Sequence, residues 1–459
     1  MSDVEAGVRA VDAADLDRRA RTLSGCIPPA LVALLLERGH EGEVESQARR
    51  SEWFCARAWA RLMGERGRRE DALEVLAPYV ATGWWPAARL QAELLESWGR
   101  VREAVELARP YAATGGQPLE FLARLLARHG HAAEAFERLR TGIEDCALAT
   151  ALVDVAATAG LDEDAARLLS DRIPADHRCD SPWCCRSTLD PDTALGLLAT
   201  IRERQGRTDE AITLLRTRSF PSDNGCGRLA DLLARHGRLD ELRAYAATDA
   251  RGVATQRLAE VLEEQGDVEG AVALYRRTGG GTAHVPYAAY HLALLLARHG
   301  RGDEAIEVMR AHADTCPGED SVLHPLAELC LDQGRPHDGL AHLDDLKAER
   351  GGEEDWDLFW IRLPLITAGA GVDEAVGQAR AHPEGDTQYA AEHIARMLHD
   401  AGRTEEAVVL LEQHLPANRT DLAGYLIDLG RIHEAVALLQ EHDRRPPARW
   451  SPWSSEPPF

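Results

Sequence analysis

Lysine is nearly absent. Of 52 basic residues only Lys347 is a lysine, and the rest are arginine. A phosphate-binding loop needs a lysine directly after its glycines. Lys347 sits instead in Asp345-Leu346-Lys347-Ala348-Glu349, which is no phosphate cradle. A kinase lysine or a Schiff-base lysine would have to be this one residue. The Ala, Gly and Arg load is that expected of a GC-rich genome, such as an actinobacterial one. Positive charge is also scarce, since the 459 residues carry a formal net charge of −24. That balance repels phosphate backbones and anionic lipid, so neither nucleic acid nor a membrane is the expected partner. No apolar run of about 18 residues is present to span a bilayer. Met1-Ser2-Asp3-Val4-Glu5 lacks the basic patch and apolar stretch of a secretory signal. No His-Glu-x-x-His helix, Gly-x-Ser-x-Gly elbow or Gly-x-Gly-x-x-Gly fingerprint occurs. No nucleophile, base and orienter can be assembled from spacing, so an enzyme is not expected, nor is a cofactor.

What the chain does have is a repeat. Gly206-Arg207-Thr208-Asp209-Glu210-Ala211, Gly300-Arg301-Gly302-Asp303-Glu304-Ala305 and Gly402-Arg403-Thr404-Glu405-Glu406-Ala407 are one motif. The same glycine recurs at Gly67, Gly99, Gly130, Gly160, Gly237, Gly266, Gly334 and Gly430, with a weaker copy at Gly39. One unit replaces it with Ala370, beside Gly369. The spacing is about 28–36 residues, broken once by about 46 between Gly160 and Gly206, which is the period of a helical repeat array. Seven residues before the turn stand Ala60, Ala92, Ala123, Ala199, Ala230, Ala259, Ala293, Ala327, Ala395 and Ala423, with Val153 and Leu363 departing. Five after it stand Ala72, Ala104, Ala135, Ala165, Ala211, Ala271, Ala305, Ala375, Ala407 and Ala435, with Leu242 and Gly339 departing. Small residues at fixed offsets on both sides of a turn let two antiparallel helices approach closely. Each unit therefore reads helix A, turn, helix B. The glycine gives helix A its left-handed cap, and Thr208 and Thr404 suit the N-cap of helix B. The Arg-His-Gly triplets ending at Gly130, Gly237 and Gly300 place cations where a helix dipole favours them, a simpler reading than catalysis.

This pattern resembles the tetratricopeptide repeat family, over about residues 50 to 440. The resemblance implies an all-α, right-handed α-solenoid of 12 to 13 helix pairs. It also implies a non-catalytic adaptor binding a peptide segment of another protein on its concave face. The expected organisation is a helical cap over residues 1–48, which could include a degenerate first repeat, the repeat array over 49–442 with an insertion at about 171–190, and a tail over 443–459. The tail holds Pro446, Pro447, Pro452, Pro457 and Pro458, which stop any helix. It is expected to be disordered, a linear motif being the sharper alternative.

By the same resemblance helix A lines the groove, at thirteen, ten and six residues before the turn. Those offsets hold Phe54, Arg57, Arg61, Arg89 and Arg124 early in the chain, and Tyr287, Tyr290, His324, Trp360, Tyr389, Glu392 and Arg396 later. Aromatics and arginine carry much interface energy. The arginines either bind a partner's carboxylates or pair with neighbouring acids such as Glu93 and Glu120 on a solvated face. The lysines and asparagines with which some family members clamp a C-terminal carboxylate are missing, so chaperone binding is not inferred. An RNA-binding array would need a uniformly basic column, whereas this one includes Glu93, Asp154, Asp231, Glu260 and Glu328. A regulatory sensor, responding to a peptide or small molecule and acting through a partner chain, is the alternative to a plain adaptor.

Nine cysteines without a signal suggest reduced thiols in the cytoplasm. Three of them fall in the insertion, as Cys179, Cys184 and Cys185, near His177. A zinc site there, with Cys226 from the next inter-repeat loop, is conceivable. The spacing is not that of a knuckle, and packed or free thiols are the expectation.

Overall fold

A computed structural model describes residues 12–173, 189–216, 223–279, 288–415 and 417–440. Among these the chain forms 27 α-helices and no strand. They divide into two compact units, Met1–Leu107 together with Ala370–Phe459, and Ala108–Gly369.

The first six helices are α1 (Ala13–Thr22), α2 (Pro29–Glu37), α3 (Glu41–Arg49), α4 (Trp53–Glu65), α5 (Arg69–Val80) and α6 (Trp85–Ser97). The turn between α4 and α5 is the template for the rest. Gly67 sits at φ +76°, the region where only glycine avoids a Cβ clash. The Arg68 N–H then reaches back to the Met63 carbonyl at 2.8 Å, and Gly67 N–H to Gly64 at 3.1 Å. This is a Schellman cap, which satisfies the last carbonyls of helix A and reverses the chain. The equivalent bonds run from Arg100 to Leu95, Arg207 to Arg202, Arg301 to Leu296 and Arg403 to Leu398. The weak copy at Gly39 has the same bond, from His40 to Leu35 at 2.8 Å.

Both alanine columns are interior. The column before the turn is 0–5% exposed, and every alanine after it is 0% exposed. Their exceptions are buried too: Val153 at 1%, Leu363 at 3% and Leu242 at 0%. At Gly339 a Cβ would lie 2.9 and 3.0 Å from the two methyl carbons of Leu365, so the neighbour has taken the alanine's space.

Two expectations shift. Helix B begins at Thr404 with Arg403 in the cap position, so Thr404 is the first helical residue and not the N-cap. The Thr404 hydroxyl lies 3.0 Å from His399 Nδ1 instead. In the unit without a turn glycine, helix A runs through Ala370 and Gly371 takes the positive φ, +94°. Gly371 has ψ +166°, outside the left-handed helical region, so this turn is built differently from the others.

In the second unit a single apolar cluster runs from Ala199 to Leu365 without a break. In the first, the two ends of the described chain touch. Arg38, after α2, bonds the Asp428 carboxylate at 2.7 Å. Gln440 donates to Gln47 of α3 at 2.8 Å, and a Cβ on Gly424 would lie 3.5 Å from Leu31 of α2.

Candidate partner-binding site

Most of the arginine load is structural. The arginine after the turn glycine bridges two repeats. Arg301 forks onto Glu304 of its own helix B at 2.7 Å and reaches Glu269 of the previous one at 2.7 Å. Arg403 does the same with Glu406 and Asp373, and Arg100 with Glu103 and Glu70. These guanidinium hydrogen bonds hold Glu103, Glu304 and Glu406 below the usual carboxylate range. The Arg-His pairs before the turn join successive helices A. Arg235 and His236 both bond Glu203, and Arg298 and His299 both bond Glu263, at 2.7–2.9 Å. The dipole reading of these triplets therefore gains a specific partner, an acid from the preceding repeat.

Against this background Arg57 stands out among the candidate arginines. Arg57 lies mid-way along α4 and is half-buried. Among the described residues it has neither an ion pair nor a hydrogen bond, while Arg61 and Arg89 stand beside it. Glu93 is the single acid in the group, 2.9 Å from Arg89 and 3.6 Å from Arg61. Burial, and then the field of Arg61, pull the Arg57 pKa below the ordinary guanidinium value; Glu93 opposes that shift. These side chains line a pocket of about 250 Å³ with Trp53, Pro86 and Leu90. Its aromatic wall is fixed from behind, because the Trp53 ring packs on Trp84 and Tyr79 with centroids 4.8 and 5.2 Å away.

A second pocket, of about 320 Å³, shares Arg57 and Arg61 with the first. Val32 and Leu36 of α2 face Phe54, Ala58 and Leu62 of α4 across it. Phe54, a candidate from the repeat register, is 7% exposed and forms part of this apolar wall. The repeat register did not reach Val32 or Leu36. The signal available was the run Leu34-Leu35-Leu36, which puts more apolar surface on a short helix than one face can bury.

The remaining candidates separate. Arg124 belongs to the second unit and is bonded to Glu120 at 3.0 Å and Asp154 at 2.8 Å, the surface-pairing alternative. Also in the second unit, His324 meets Trp360 edge-on at 4.6 Å and lies 3.5 Å from Glu328. Tyr290 packs against His291 at 5.7 Å. In the first unit, Arg396 pairs with Glu392 at 2.7 Å, and Tyr389 is 65% exposed. Tyr287, His177, Cys179, Cys184 and Cys185 lie outside the described residues. Cys226 falls inside the helix Asp223–Arg235 and not in a loop. Among the described residues no group of three or more His, Cys, Asp or Glu could hold a metal ion. No described helix is long and apolar enough to cross a membrane.

The tetratricopeptide repeat model matches residues 194–219, across the turn at Gly206. That unit of the chain is a tetratricopeptide repeat. No curated protein matches it. Among solved structures, the chain overlaps Naa15/Naa10 bound to HypK-THB at TM-score 0.45 and 14% identity, over 93% of this chain and 67% of that one. It overlaps yeast Tom70 at TM-score 0.32 and 12% identity, over 90% and 99%. It overlaps the APC/C hetero-tetramer Cut9–Hcn1 at TM-score 0.25 and 12% identity, over 86% and 97%. Superpositions this loose say nothing about what this chain binds.

Proposed function

We propose that this protein is a non-catalytic protein–protein interaction scaffold that holds a peptide segment of its partner along the helix A column, on the concave face. The observation that supports this is Arg57. In a chain of net charge −24, a half-buried guanidinium without a counter-ion among the described residues, flanked by two more, is costly unless an anion completes it. The other candidate arginines, Arg61, Arg89, Arg124 and Arg396, each have an acid in place, so Arg57 is the exception among them. Carboxylates of a partner would be taken by the guanidinium forks. Exposed Tyr389, in the same unit as Arg57, offers a flat apolar contact of the kind interfaces use. The test is affinity capture from the native host with mass spectrometry, run in parallel on wild type and on Arg57→Glu with Arg89→Glu. Partners bound through this column should be depleted more than tenfold by the double substitution, and the depletion should shrink at high salt. Equal recovery by both proteins would assign these arginines to the surface and remove the reading.

A further inference from the structure

α4 stands between two kinds of chemistry. On its Arg57–Arg61 side, Arg57, Arg61 and Arg89 line the smaller pocket with one carboxylate, that of Glu93, which bonds Arg89 at 2.9 Å and lies 3.6 Å from Arg61. Toward α2, Val32, Leu36, Phe54, Ala58 and Leu62 make an apolar pocket of about 320 Å³, with Glu65 exposed at its edge. A cavity of about 150 Å³ already accepts a benzene ring, so the larger pocket has room for an aromatic or branched side chain. Because both pockets use Arg57 and Arg61 as a common wall, an acid and an apolar group bound together must be neighbours in one ligand.

We infer that this double pocket takes a peptide in which an Asp or Glu carboxylate directly adjoins a large apolar side chain. The carboxylate sits against Arg57 between Arg61 and Arg89, and the apolar group enters between α2 and α4. This rests on the scaffold reading and sharpens it to a ligand class. Charge complementarity decides the polar half. Arg57 is partly desolvated, and Glu93 is shared by Arg61 and Arg89, so an incoming carboxylate finds an unmatched fork. Burial of the apolar half adds the area term that an exposed ion pair lacks.

The probe is a set of four fluorescein-labelled, terminally blocked hexapeptides, titrated into the full chain by fluorescence anisotropy. They carry Glu-Phe, Gln-Phe, Glu-Gly or Gln-Gly at their centre in an otherwise Gly-Ser sequence. Glu-Phe should bind at least tenfold tighter than each of the others. Arg57→Gln should erase the advantage of Glu over Gln and keep that of Phe over Gly. Ala58→Trp, which fills the apolar pocket, should do the reverse. Far-UV circular dichroism and melting temperature confirm that both variants remain folded. Four peptides binding alike, or an acid preference that survives Arg57→Gln, would overturn the inference. Should that happen while Arg57→Glu with Arg89→Glu still depletes captured partners, the scaffold reading stands and only the ligand class falls.

Discussion

Glu52 shows how much a single side chain can be asked to do. It is the N-cap of α4, and its Oε2 accepts the Cys55 N–H at 2.7 Å. Yet Glu52 is only 3% exposed, and its Oε1 has no hydrogen-bond partner. Burial dominates and raises its pKa above the ordinary glutamate value, with the Cys55 hydrogen bonds and the field of Arg19 opposing. A raised folded-state pKa means that the folded chain holds this proton more tightly than the unfolded chain. Its contribution is fully present below the unfolded pKa of about 4.3 and is lost as pH rises through the folded value. Glu52→Gln keeps an oxygen for the Cys55 N–H and has no charge to bury. Its melting temperature should match wild type near pH 4 and exceed it by pH 8, by a free energy on the order of 1–3 kcal/mol. A difference independent of pH would show that Glu52 carries no such penalty. The bridging glutamates act in the opposite sense. Their lowered pKa values give stability that is present above about pH 4.3 and is lost as pH falls through them. Comparing variant with wild type at each pH cancels that shared loss.

At the scale of the helix pair, the packing rule was legible from the sequence and can be tested directly. Ala293 is 1% exposed in the helix Ala288–Arg298, and Ala305, across the turn, is 0% exposed in the helix Gly302–Thr315. Ala293→Leu forces three extra carbons into this contact and should cost about 1–3 kcal/mol, measured by urea unfolding. Unchanged stability would mean that the two columns do not face each other. The turn glycines were legible for the same reason, since a left-handed cap tolerates little else. Where the register slipped, a local backbone choice had replaced the usual one. At Gly371 the chain uses a different turn, and at Gly339 the adjacent Leu365 fills the alanine's volume. The binding column was only half legible. Offsets placed Arg57, Arg61 and Arg89 together, but no offset distinguishes an arginine with acids on two sides, like Arg124, from one without. That depends on which acids the neighbouring repeats bring within reach. The wall contributed by α2 was hidden for another reason, because the groove offsets were read only from the repeats after residue 48 and α2 lies before them.

Contacts between the ends of the described chain belong to the largest scale, and no repeat pattern announces them. Periodicity tells each helix about its neighbours in sequence, whereas Arg38 and Asp428 meet through the first unit's tertiary structure alone. Asp428 is well covered, with 14% of its side chain exposed, and also lies 3.5 Å from His399, so the Arg38 pair is shielded on one side only. Arg38 is 54% exposed, which limits the pair to about 0.2–1 kcal/mol in a double-mutant cycle with Asp428→Ala. Sterics offer a stronger probe. A side chain at Gly424 would point at Leu31, 3.5 Å from its Cβ position. Gly424→Phe should therefore wedge α2 away from the helix Arg419–Asp428. Amide hydrogen exchange should then speed up over residues 30–49 as well as over 419–440, although the substitution lies in only one of these segments. Helices of the second unit, such as Ala288–Arg298, should exchange as in wild type. A rise confined to residues 419–440 would mean that the two segments do not hold each other in solution. A coupled rise would make α2 a shared element, since its Leu31 side rests on the last repeat while Val32 and Leu36 line the apolar pocket. Loosening that contact should then weaken binding of the Glu-Phe peptide as well, although Gly424 is not among the pocket's lining residues.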